Sequence, residues 1–220
     1  YWDGVFHHDE DSDINYLITK EGEQFPVNVF AGVDPATDSA RRDSDFSVIC
    51  FVAVSNNNNV YVLDYVRKLS IPVLALHGTS KKGIVDYLFD YNKIYHPNLY
   101  CIEDTTMSKP VFQALRSEMR RRNDFSVKFT EEKPGTRMSK RDRIQEILAQ
   151  RFAIKSVYLK KEHYDLQHEV ITFGPRMGHD DTIDALAYAC KHAHPPMGVK
   201  KKKDGTFKKK TPAAKNWVIA

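Results

Sequence analysis

Three apolar runs, residues 27–33, 46–54 and 60–66, follow one another early in the chain, each of strand length and each bounded by turn-forming residues. The first stops at Asp34-Pro35, because proline steers the residue before it away from helical backbone and cannot donate to a ladder. The second and third are joined by Ser55-Asn56-Asn57-Asn58-Asn59, a turn, since asparagine tolerates positive φ. Consecutive runs of this kind predict an antiparallel meander. Helical spacing then takes over at 79–95, where Ile84, Val85, Leu88 and Phe89 share a face. A short buried strand at 99–102 leads to Glu103, and a helix at 110–122 opens on Pro110, a favourable first-turn residue. A strand at 125–129 follows. The clearest amphipathic helix, 139–152, carries Ile144, Ile147, Leu148 and Phe152 on one side. A short helix at 164–171 and a last one at 180–192 precede Pro195-Pro196. A meander followed by alternating helix and strand predicts an α/β layer built on a mixed sheet. No internal repeat is present.

Composition narrows this picture. A chain of 220 residues with 41% hydrophobic positions supports one ordinary core, and two full domains would be cramped. No run of about 18 apolar residues exists, so no membrane span or membrane partner is expected. Tyr1 to Asp13 is acidic and lacks the apolar centre of a signal peptide. The first residue is not Met, which suggests a fragment or a processed chain. Cys50, Cys101 and Cys190 are far apart and odd in number, which predicts buried thiols in a reducing compartment rather than disulfides or a zinc site. The net charge of +4 is unevenly spread: Lys200 to Lys203 and Lys208 to Lys210 sit near the C-terminus and leave the body slightly acidic. Such a tail suits either a polyanionic partner or a solvated, flexible end. The expected organisation is an arm at 1–24, a domain at 25–195 and a basic, flexible tail at 196–220.

The chemistry lies in acidic residues at the ends of these elements. Asp34 ends the first strand, Asp45 precedes the second, and Glu103 ends a later strand. Asp180, Asp181 and Asp184 open the last helix, on one flank of the stripe formed by Ile183, Leu186, Ala187 and Cys190. Singly, each acid can be a turn former or a helix cap. Neighbouring carboxylates repel one another by a few tenths of a kcal/mol per pair, a sign that a cation between them reverses. Carboxylates gathered from strand ends and a helix start suit Mg²⁺ or Mn²⁺, hard ions that take oxygen ligands. Two such ions, about 3.5–4 Å apart, hydrolyse phosphodiesters without a covalent nucleophile. Strand-end Asp, strand-end Glu and helix-start Asp pair, in that order, point to a ribonuclease H-like site. No Gly-x-x-x-x-Gly-Lys-Ser/Thr phosphate cradle is present.

The motifs extend further. Gly32-Val33-Asp34-Pro35-Ala36, Asp45-Phe46-Ser47-Val48, Cys101-Ile102-Glu103-Asp104, Lys140-x-x-Arg143-Ile144 and His179-Asp180-Asp181-Thr182-Ile183-Asp184-Ala185-Leu186 occur in this order. The set resembles the C-terminal nuclease domain of the large terminase subunit of tailed bacteriophages, over residues 27–192. The last motif is the most specific. The resemblance implies a ribonuclease H-like mixed β-sheet flanked by helices on both faces. It further implies an endonuclease that cuts concatemeric double-stranded viral DNA during packaging, in the host cytoplasm. Carried over, Asp34, Glu103 and Asp181 bind the two ions, with Asp180, Asp184 and Asp45 as supporting ligands. It also implies an ATPase domain in the full-length chain, and the portal and the small terminase subunit as partners.

Bridging by Asp34, with Glu103 and Asp181 completing the coordination, is the arrangement expected, and His179 beside the Asp pair can shuttle a proton or cap the helix. DNA must be held by positive charge. Lys133, Arg137, Lys140, Arg141 and Arg143 around Pro134-Gly135 are the candidate grip, with Arg116 and Arg120 to Arg122 as a second basic stretch or a solvated helix face. Two alternatives stay open. One is another ribonuclease H-like nuclease, a junction resolvase or ribonuclease H itself; the other is a non-catalytic DNA- or portal-binding module.

Overall fold

The computed structural model of the chain describes residues 1–36, 46–69, 71–75, 78, 80–106, 108–133, 138–174, 179–201 and 207–209. Its centre is β3 (Gln24–Asp34), which pairs antiparallel with β4 (Phe46–Ser55), which in turn pairs antiparallel with β5 (Val60–Leu69). Asn58 takes φ 60° in the turn between β4 and β5, the left-handed conformation that asparagine accepts at little cost. On the other side of β3, β6 (Leu99–Glu103) runs parallel to it and β7 (Phe129–Glu132) runs parallel to β6. The order β5-β4-β3-β6-β7 is the predicted meander extended by parallel crossovers, a ribonuclease H-like mixed sheet.

Helices cover both faces, which is why the central strands read as unbroken apolar runs rather than alternating ones. Alternate residues of β3 and β4 feed two cores. Val29, Ala31, Val33, Ile49 and Phe51 pack with α1 (Ile84–Tyr95) and α2 (Lys109–Arg122). Phe30, Val48, Cys50 and Val52 pack with α3 (Lys140–Ala153), α4 (Tyr164–Thr172) and α5 (Asp181–Lys191). Each face is thus sealed by a different part of the sequence. All three cysteines are buried free thiols, as expected. Among the described residues no helix is long and apolar enough to cross a membrane.

Several expectations shift. Residues 1–24 are not a loose arm: β1 (Val5–Asp9) and β2 (Ile14–Ile18) extend the sheet, β2 pairing with the start of β3. Ile14 and Leu17 are buried there, an apolar contribution hidden among acidic neighbours. Trp2 fastens the N-terminus across the sheet, its backbone N–H donating to Leu159 O at 3.0 Å and its indole to Val62 O at 3.1 Å. The strand expected at 125–129 begins only at Phe129, because Asp124 accepts from the backbone and hydroxyl of Ser126 and closes a local turn first. Within the expected tail, β9 (Val199–Lys201) and β10 (Phe207–Lys209) pair antiparallel, and Phe207 lies against Tyr16 of β2. A two-residue strand, β8 (Val157–Tyr158), pairs with β5 and carries too few residues to show a pattern.

Candidate functional site

The strand register sets the first pair of acids. Val33 of β3 faces Ile102 of β6, so Asp34 and Glu103 follow side by side at the C-terminal ends of these adjacent parallel strands. Gly32 places the rest. A Cβ there would collide with Ala185 O and Ala189 N, so α5 lies directly on β3 only because position 32 has no side chain. That contact lays the first turn of α5 beside the end of β3. Every residue of 181–190 is buried, far more than an amphipathic helix requires. The start of α5 is capped from another helix: Glu169 of α4 accepts from Thr182 Oγ1 and from the Ile183 N–H, both at 2.8 Å.

Lys140, the first residue of α3, marks where the carboxylates converge. Its Nζ lies 2.8 Å from Asp180 Oδ1, 3.3 Å from Asp184 Oδ2, 3.5 Å from Asp34 Oδ2 and 3.6 Å from Asp181 Oδ1. Arg143, one turn on, donates through Nη2 to both oxygens of Asp184 at 2.8 Å and stands 3.6 Å from Glu103 Oε1. Asp181 spends one oxygen on the Phe46 N–H at 3.1 Å, and Glu103 accepts from Tyr188 Oη at 2.9 Å. Four of the predicted acids therefore ring one ammonium, and Glu103 joins them through Arg143. Asp184 is fully buried with both oxygens engaged by Arg143, while Asp34 and Asp181 sit at 8% and 4% exposure, each with one oxygen facing the lysine.

The electrostatics follow from this crowding. Burial holds the Asp34 carboxyl well above the usual range; Lys140 opposes the shift, and Asp184, Glu103 and Asp181 add to it. Asp184 is likewise raised by burial, against the pull of Lys140 and Arg143. Burial alone would push the Lys140 ammonium down, but Asp34 and Asp184 outweigh it and hold it up, so it stays charged. One ammonium and one guanidinium face five carboxylates, an excess of negative charge that calls for more cation. Among the described residues no three His, Cys, Asp or Glu form a ready-made metal cage, and the lysine stands at their convergence. The donors themselves are all carboxylate oxygens around a cation, a set that fits Mg²⁺ or Mn²⁺ and not a thiophilic metal.

The remaining predicted residues fall differently. Asp45 and Arg137 lie outside the described residues. Lys140 and Arg143, expected on a DNA grip, turn inward onto the acids instead, because burying those carboxylates demands counter-charge. Lys133 and Arg141 are exposed. In the second basic stretch Arg116 pairs with Glu131, Arg121 with Glu118, and Arg122 with Glu118 and Asp86, which spends most of its charge within the fold. His179 Nδ1 stands 3.9 Å from Asp181 Oδ2, its ring edge-on to Phe46. Sequence reasoning quoted Gly32 within the first motif without a role for it, and passed over Glu169 and Tyr188. Glycine before a strand-end acid and the Asp181-x-x-Asp184-x-x-x-Tyr188 spacing were the available signals for two of them.

No protein-family model and no curated protein matches the chain. Solved structures similar to it include the yeast mitochondrial Holliday junction resolvase Ydc2, at 11% identity over 73% of this chain and 75% of that one, TM-score 0.45. RuvC of T. thermophilus, in complex with a Holliday junction substrate, matches at 18% identity over 74% and 92%, TM-score 0.42. The human cytomegalovirus terminase nuclease domain, Mn-soaked and inhibitor-bound, matches at 10% identity over 74% and 80%, TM-score 0.47. Likenesses at these scores carry no weight for activity, which has to rest on the chain's own residues.

Proposed function

We propose that this chain is a divalent-metal-dependent endonuclease acting on double-stranded DNA, with concatemeric viral DNA as its substrate during genome packaging. The observation that carries the reading is the convergence of Asp34 and Asp181, from a strand end and a helix start, onto Lys140, with Glu103 from the neighbouring strand end brought alongside by Arg143. The resemblance of the five motifs to the terminase nuclease supports the viral substrate. These three residues would hold Mg²⁺ or Mn²⁺, and Asp180, 2.8 Å from Lys140 and more open than its neighbours, would support them. Asp184 is better suited to anchoring Arg143, since both of its oxygens are taken. Bound divalent ions supply an activated water and neutralise charge on the scissile phosphate.

The protein's own part is positional. Gly32 and Glu169 fix the start of α5, the Phe46 N–H orients Asp181, and Lys140 offsets repulsion among the acids. Lys133 and Arg141, both exposed, would meet the DNA backbone in this reading, together with Arg137 between them in sequence. In this reading the ATPase domain, portal and small subunit lie outside the chain described and act on it as partners.

Incubation of the purified chain with linear duplex, a four-way junction and an RNA–DNA hybrid tests the proposal. Mg²⁺- or Mn²⁺-dependent cutting of the linear duplex is expected, with none in chelator. Asp34→Asn and Asp181→Asn should fold normally and cut nothing. Cutting by either variant removes the assignment, and a clear preference for the junction or the hybrid transfers the chain to the alternative nuclease readings.

A further inference from the structure

We propose that Tyr188 and Arg143 are positioning residues that aim the Glu103 carboxylate at the divalent ion, an inference that rests on the metal-dependent reading above. Tyr188 is 1% exposed in the middle of α5, at a depth where phenylalanine would pack equally well. A buried phenol needs a hydrogen-bond partner, and this one has Glu103 Oε1 at 2.9 Å. The Arg143 guanidinium lies over the Tyr188 ring, 4.7 Å from its centroid, and reaches the same Oε1 at 3.6 Å. Both contacts fall on one oxygen of Glu103, which leaves Oε2 for a ligand. Arg143 is itself held through Nη2, which donates to both oxygens of fully buried Asp184. The helix repeat completes the arrangement: Asp181, Asp184 and Tyr188 follow at intervals of three and four, so one face of α5 carries a candidate ligand, an anchor and an orienting hydroxyl. On β6, the hydroxyl and guanidinium restrict the rotation of Glu103 as supporting groups restrict metal-binding carboxylates.

Tyr188→Phe keeps the ring, its burial and the guanidinium stack, and removes only the hydroxyl. Mn²⁺ affinity, read from the paramagnetic resonance of the free ion, should fall by about 10–100-fold. The thermal midpoint should move by no more than about 2–4 °C. Cleavage should show the same displacement in its Mn²⁺ midpoint and recover in excess Mn²⁺, with the KM for DNA unchanged because Tyr188 is too deep to touch it. An affinity indistinguishable from wild type overturns the inference, as does a loss of cleavage that excess metal does not restore. If Tyr188→Phe fails to fold, wild-type protein carrying isotope-labelled tyrosine decides the matter. The Tyr188 resonance should shift during Mg²⁺ titration with the binding midpoint, and a resonance that stays in place overturns the inference. Wild-type protein that binds no Mn²⁺ at all removes the metal reading itself, a result distinct from any of these.

Discussion

Asp34 shows how a single residue can be set against the stability of its own fold. Its carboxyl is raised first by burial and then by Asp184, Glu103 and Asp181, with Lys140 in opposition. A folded-state pKa above the unfolded value means that this group favours the fold below the unfolded value of 3.8 and ceases to do so as pH rises through the folded one. Asp34→Asn should therefore stabilise the metal-free protein near neutral pH by about 1 kcal/mol while abolishing cleavage. Urea denaturation in chelator at several pH values checks this, and the gain should shrink as the pH is lowered. Equal stability of both chains at neutral pH would show that Lys140 already neutralises the site. Asp34, Glu103 and the Asp180–Asp184 group were legible in sequence because each sits where an apolar pattern ends or begins. Tyr188 was not, since an aromatic at helical spacing looks like core until its hydroxyl is seen facing a carboxylate.

Among the elements, α5 depends on contacts made elsewhere in the chain. Gly32→Ala would drive a methyl group into the Ala185 carbonyl, so β3 and α5 must part. A loss of about 3 kcal/mol is expected, at the upper end for overpacking, read as a lower urea midpoint with an unchanged slope. Glu169→Ala removes the acceptor for the Ile183 N–H and should cost about 1–2 kcal/mol, the range for a lost helix cap. Because the cap sits two residues from Asp181, cleavage by that variant should fall further than its thermal midpoint suggests. Among the described residues, the meander, α1 and α3 were legible because their apolar periodicity is long, and α2 because Pro110 marks its first turn. The strands β1 and β2 were not: five residues each, they place Ile14 and Leu17 among acids and histidines, where burial comes only from neighbouring elements.

Across the molecule, the acids at the ends of β3 and β6 and the start of α5 gather around the start of α3, where Lys140 and Arg143 face them. With Lys140 and Arg143 turned inward, DNA affinity should rest on Lys133, Arg137 and Arg141. Replacing all three by Gln should lower the salt dependence, flattening the plot of log affinity against log salt by about 0.9 for each phosphate no longer neutralised, measured by fluorescence anisotropy on a duplex. A slope identical to wild type would move the grip to the lysines near the C-terminus. The mixed sheet itself was readable from the order of runs. The inward turn of two basic residues was not, because a sequence shows charges but not the depth at which they end.

The Trp2 fastening has a bearing on biosynthesis. Trp2 is secured by Leu159, a partner synthesised long after it. Contacts so distant along the chain close late, after the intervening segments have condensed. During translation the first strand pair must therefore wait without its latch, so nascent chains halted short of Leu159 should be nicked by protease near Trp2, while the released protein resists.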